Sequence, residues 1–116
     1  MYIILGVGTA SHCAASRLTD TGHQVTLVDI KPERTEALRE MGFDNVVEGD
    51  ITSVDLLKKI NVELAKGVLI LTTDLDLNIK AAQAIRDLSR EVPIILRVGK
   101  HNTSEDLKGL EIDEII

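Results

Sequence analysis

Two glycines and one carboxylate carry most of the chemistry open to this sequence. Gly6-Val7-Gly8-Thr9-Ala10-Ser11 follows a short apolar run, Tyr2 to Leu5, and opens a segment of helical spacing. A turn of this composition binds anions. The first glycine permits a tight turn, the second lets the backbone approach a diphosphate because no Cβ intervenes, and the third place needs a small residue for close helix–strand packing. Ser11 stands there instead of the usual Gly or Ala, and its hydroxyl is expected within reach of a phosphate. Unpaired amides and the positive end of the helix complete the attraction. Asp29 closes the next apolar run, 21 positions after Gly8. A carboxylate at that spacing binds the ribose hydroxyls of an adenine nucleotide. It repels a 2′-phosphate, which favours NAD over NADP. Lys31, just beyond Ile30, softens that repulsion.

Further polar groups fall at the ends of apolar runs. Asp50, followed by Ile51, either accepts from an adenine amino group or caps a helix. Thr72-Thr73-Asp74 follows the fourth run, and ligands of open α/β sheets sit in the crevice there. Asp74 is expected first of all as a helix N-cap. Asn78, one turn further on, faces either the crevice or solvent. Arg97, charged within an apolar stretch, either meets a phosphate or extends its head from the sheet edge. His12, His23 and His101 are expected at surface or turn positions, His12 being the one beside the phosphate site. Cys13 is expected as a small apolar helix residue.

The elements that must position these groups alternate along the chain. Strands are expected at Tyr2–Leu5, Gln24–Asp29, Asn45–Glu48, Gly67–Thr72, Pro93–Val98 and Glu111–Ile116. Helices are expected from Thr9 to Thr21, Pro32 to Met41, Ser53 to Ile60 and Leu75 to Ser89, with a weak one from Thr103 to Lys108. Pro32 suits a first helical turn, and Gly22 and Gly42 suit helix ends. Near-continuous apolar strands between helices predict a parallel sheet covered on both faces. The class is therefore α/β: a Rossmann-type three-layer α/β/α domain over residues 1–116, its six-stranded sheet in the order 3-2-1-4-5-6. The chain stops at its last strand with no closing helix, so it is expected to be a piece of a longer protein.

Composition narrows the partners. The formal net charge is −6, and no run of Lys or Arg offsets it, which disfavours nucleic acid and anionic membranes. No apolar stretch approaches the length of a membrane span, so no direct membrane insertion is expected. A single cysteine permits no internal disulfide and fits a reducing, cytoplasmic setting. An oxidoreductase would need a second domain carrying a catalytic acid or base. A binding domain that does no chemistry is the expectation, with a module that has lost its ligand as a third reading.

The sequence resembles the TrkA-N family, also called the RCK or KTN nucleotide-binding domain. The resemblance runs through Tyr2–Gly8, Gly22–Ile30 with Pro32-Glu-Arg34, Gly42–Thr52, Leu71–Asp74 with Leu77-Asn78, and Ile95–Val98. It implies regulation of a potassium channel or transporter by NAD(H), or by ATP, ADP or AMP. It also implies a homo-oligomer at the inner face of the membrane through a partner. Family roles fall on Gly6, Gly8, Asp29 and Asp50, and further on Thr73, Asp74 and Arg97. The family often carries Arg where Thr9 stands. The segments Asn78–Arg86 and Val92–Ile95 also look like a similar domain placed before DHH-type phosphoesterases.

Overall fold

Apolar runs become the strands of one parallel sheet. In the computed structural model, which describes residues 1–99, 107 and 109–116 and only the backbone of 9, 10 and 115, the strands are β1 (Tyr2–Leu5), β2 (Val25–Asp29), β3 (Asn45–Glu48), β4 (Gly67–Ile70), β5 (Ile94–Leu96) and β6 (Glu114–Ile115). Their order is β3-β2-β1-β4-β5-β6, as the alternation predicts. Every pairing is parallel, with Leu5 in register with Val28 on one side and Ile70 on the other. The chain thus reverses its direction of winding between β1 and β4, which opens a crevice at their C-terminal ends.

Helices α1 (Thr9–Asp20), α2 (Pro32–Glu40), α3 (Val54–Lys59) and α4 (Leu75–Leu88) form the outer layers. Alternate residues of each strand meet opposite layers. Ile4, Val25, Leu27 and Leu71 pack with Ala15 and Leu38 of α1 and α2. Ile3, Leu5, Val28, Val68, Ile70, Ile94 and Leu96 pack with Leu57, Ala81, Ala82 and Ile85 of α3 and α4. Fully burying each Ile or Leu among them contributes about 1.5–3 kcal/mol. A turn of 3₁₀ helix at Val62–Leu64 was not apparent in the sequence pattern.

Strands β4, β5 and β6 are shorter than their apolar runs. At the C-terminal ends, the Asn78 amide takes the carbonyls of Thr72 and Arg97, both at 3.0 Å, so these groups leave the ladder. Before β6, Glu111 has φ +53°, which no strand accommodates. The α1/α2 layer does not reach across β5. Leu69 and Ile95 are only half-buried there, and a depression of about 260 Å³ is lined by Ala14, Leu69, Leu71, Arg97, Gly99 and Ile116. Among the described residues, cover on the α1/α2 side is thus fuller over β1 and β2 than over β5. The expected helix from Thr103 to Lys108 lies, apart from Leu107, outside the described residues, as does His101. Among the described residues no helix is long and apolar enough to cross a membrane.

Candidate functional site

The loop between β1 and α1 is shaped by its glycines and held by Asp29. Gly6 has φ +85°, and a Cβ there would stand 2.2 Å from Thr72 Cγ2. Only glycine fits both the backbone and the neighbour. Gly8 sits in N-cap position of α1, and nothing lies within 4 Å of where its Cβ would be. That opening is where the backbone is accessible to a ligand. The first turn of α1 carries no acidic residue, and Gly8 offers no side chain to cap it. The positive end of a helix of 12 residues therefore points into the crevice without compensation.

Asp29 is 3% exposed. Its Oδ2 accepts from the Val7 amide at 2.8 Å, and its Oδ1 accepts from the Lys31 amide at 2.9 Å. The Arg34 guanidinium approaches Oδ2 at 3.5 Å. One carboxylate thus ties the phosphate-type loop to the end of β2 and the start of α2. Val7 itself is 6% exposed and packs in the α1/α2 core. Its amide is engaged by Asp29, so this is not one of the loop donors offered to a ligand. Ile30 is 62% exposed, and Lys31 is exposed beside it.

Several expectations change when the side chains are placed. The Ser11 hydroxyl turns inward and donates to the Gly6 carbonyl at 2.5 Å; the residue is fully buried. It fulfils the packing requirement and braces the turn instead of reaching a phosphate. Asn78 is fully buried, so it is not the solvated position that was one of its two expectations. Its amide hydrogens join the ends of β4 and β5, and its Oδ1 accepts from the Thr72 hydroxyl. It positions the crevice wall. Ile51, next to Asp50, is 5% exposed and belongs to the α3/α4 core, so its side chain is turned away from a ligand.

The capping roles sort themselves. Asp74 accepts from the Leu77 amide at 3.2 Å and caps α4. Ser53, not Asp50, caps α3, accepting from the Leu56 amide. Asp50 is exposed, and its Oδ1 accepts from the amide and the hydroxyl of Thr52 at 2.9 and 2.7 Å. Those two bonds, the backbone one first, hold its carboxyl below the usual carboxylate range. Its Oδ2 is left facing outward at the end of β3. Thr73 is exposed at the mouth of the crevice, and Arg97 is half-buried on the rim of the apolar depression. The His12 ring packs edge-on against Phe43, and His23 against Tyr2. Cys13 is exposed on α1.

The sequence profile of the TrkA-N domain matches residues 2–116. The chain belongs to that family. A Trk system potassium uptake protein TrkA homologue from Pyrococcus horikoshii is 33% identical over 115 residues, covering 96% of this chain and 50% of the relative. The chain thus spans about half the length of the Pyrococcus relatives it matches. Among solved structures, the NAD(P)-binding domain of an exopolyphosphatase-related protein from Archaeoglobus fulgidus is 29% identical, with a TM-score of 0.91, over 99% of this chain and 85% of that one. The GsuK channel bound to NAD shares the fold, at 20% identity and a TM-score of 0.89, over 99% of this chain and 21% of that one.

Within this TrkA-N domain, sequence reasoning missed two residues of the corner around Asp29 and Asp50. Arg34 was quoted only within a motif. Its place on the first turn after Pro32, folding back over the end of β2, is the signal that could have found it. Thr52 stands two residues after Asp50, the spacing of a carboxylate that bonds its own backbone in a turn.

Proposed function

We propose that this domain is the regulatory nucleotide-binding part of a potassium-transport system, taking NAD(H), with ATP, ADP or AMP as alternatives, and doing no chemistry on it. One observation carries the reading: the uncapped α1 N-terminus opens beside Gly8, and the loop in front of it is fastened by the carboxylate suited to a ribose. The amides at the start of α1 hold the phosphates. Asp29 adds the ribose hydroxyls to the bonds it already makes, and Asp50 Oδ2 accepts from the adenine amino group. Thr73 and Arg97 line the far side of the crevice. In favour of the transport setting stand the name of the Pyrococcus horikoshii relative and the NAD in the GsuK channel.

Regulation follows if the ligand binds two arrangements of its partner domains with different affinity. The domain works on the cytoplasmic side, within a homo-oligomer and next to a membrane-embedded channel or transporter subunit. A thermal-shift panel of NAD, NADH, NADP, ATP, ADP and AMP tests the binding. A ligand at a hundred times its dissociation constant should add about 2.7 kcal/mol of stability. Asp29→Asn lowers the charge and sets an NH2 against the Val7 or the Lys31 amide, and should weaken every adenine nucleotide about tenfold or more. Unchanged affinities in that variant refute the ribose assignment.

A second reading is favoured by the Archaeoglobus fulgidus neighbour: the same sensing domain placed ahead of a phosphoesterase. The full-length protein decides between them. Potassium flux that responds to nucleotide supports the first, and nucleotide-dependent release of phosphate from a phosphoester supports the second.

A further inference from the structure

We infer that Arg34 makes the ribose corner accept a 2′-phosphorylated adenine nucleotide, so that the domain binds NADP(H) about as readily as NAD(H). The inference rests on the nucleotide site proposed above and concerns which dinucleotide that site admits.

An Asp at the end of β2 rejects a 2′-phosphate when it presents a bare carboxylate. Asp29 is not bare: what it keeps for a ribose hydroxyl lies beside the Arg34 guanidinium. Its side chain is 4% exposed, its Oδ2 is engaged by the Val7 amide and approached by Arg34, and its Oδ1 is engaged by the Lys31 amide. Arg34 is the group that meets solvent here, with a side chain 48% exposed. A guanidinium has five N–H donors in a planar fork. A single contact to Asp29 at 3.5 Å through Nη1 leaves the other donors of the fork available to a ligand in the corner.

One further feature favours an anion at the same place. The Lys31 side chain is exposed next to it. Helix α2 begins at Pro32 with no side-chain cap, though Glu33 stands in its first turn and Asp29 accepts from the Lys31 amide. Glu33 and Glu48 lie exposed close by in the chain and the sheet, where solvent screens them. A 2′-phosphate can accept two parallel bonds from one guanidinium, which a solvent-screened carboxylate does not cancel. The expectation drawn from Asp29 alone, NAD over NADP, is thereby revised.

Calorimetric titrations of the whole chain with NAD⁺ and NADP⁺, and with AMP and 2′,5′-ADP as the minimal pair, test the inference. The wild type should bind the two members of each pair within about threefold. Arg34→Met should weaken NADP⁺ and 2′,5′-ADP about tenfold or more while changing NAD⁺ and AMP less than about threefold, the loss expected of one charge-assisted bidentate contact. Arg34→Lys, which keeps the charge without the fork, should fall between. A wild type preferring NAD⁺ by more than about thirtyfold, or a Met variant that loses both members of each pair equally, overturns the role of Arg34 and leaves the nucleotide site standing. Absence of binding by all four probes overturns both.

Discussion

The two ends of the sheet treat their backbone groups in opposite ways. At the end where the strands start, Arg86 of α4 gathers the loose carbonyls. Its Nε donates to Leu110 at 2.6 Å, Nη1 to Ser89 and Val92 at 3.1 and 2.8 Å, and Nη2 to Glu111 at 2.7 Å. Asp113 then meets the Arg86 guanidinium at 3.6 Å and accepts from the Ile94 amide at 2.7 Å. Among the described residues, the carbonyls gathered there are bonded within the chain, beside a shallow depression of about 220 Å³. At the opposite end, the start of α1 is left without a cap and Gly8 looks into open space. Unsatisfied donors are costly when buried, so a fold keeps them only where water or a ligand can reach. The difference marks the crevice as the place for a partner, and the Arg86 end as scaffold.

Arg86→Met should separate the two most sharply. It removes a guanidinium whose side chain is 9% exposed and strands four carbonyls, at a cost of about 4 kcal/mol. Urea unfolding measures the loss. Nucleotide affinity, read under conditions where the variant is folded, should stay at the wild-type value. A change there would mean that the Arg86 end communicates with the site. Gly6→Ala tests the opposite end. The new methyl group must displace Thr72 and the residue must keep a left-handed backbone, together about 3 kcal/mol. This variant should lose nucleotide binding as well as stability. Retained binding would show that the turn is not the phosphate cradle.

Much of this frame was legible in advance because it follows from local pattern. Apolar runs ending at glycines, Pro32 at a helix start, and the distance from Gly8 to Asp29 each report a short-range constraint, and they gave the sheet order. What the pattern leaves open is which carbonyl a polar side chain bonds. Arg86 bonds carbonyls as far as 25 residues away, and no periodicity announces that. Ser11 is expected within reach of a phosphate and Asn78 at either the crevice or solvent, yet both side chains turn to backbone carbonyls. Asn78 precedes Ala81, Ala82 and Ile85 by three, four and seven positions, so the helical stripe already placed it inward. A buried amide must then find partners, and the nearest are strand-end carbonyls.

Asn78→Leu asks how far the crevice wall depends on that amide. Leucine fills similar space but leaves the carbonyls of Thr72 and Arg97 without the Asn78 amide, while the Thr72 hydroxyl keeps its bonds with Asp74, costing about 2 kcal/mol. The strand ends of β4 and β5 should then exchange their amide hydrogens faster, while β2 and β3 keep their protection. Nucleotide binding should weaken less than in Gly6→Ala, because the loop itself is untouched. Equal protection of all strands would show that the ladder alone sets the crevice.

The smallest effect concerns Asp50, the carboxylate that the open end leaves in solvent. Thr52 holds its carboxyl below the ordinary range through an amide bond first and a hydroxyl bond second. A group whose folded pKa is lowered contributes stability above its unfolded pKa, and that contribution disappears as the pH falls through the folded value. Thr52→Val deletes the hydroxyl bond and keeps the amide bond. The Asp50 carboxyl should therefore titrate at a higher pH in the variant than in the wild type, while staying below the ordinary range. Side-chain carboxyl NMR through an acid titration reads this directly. If Asp50 Oδ2 also accepts from an adenine amino group, saturating nucleotide should lower the midpoint again in both proteins. A midpoint indifferent to nucleotide would remove Asp50 from the site and leave it a turn residue, extending the self-satisfied character of the Arg86 end to the rim of the open one.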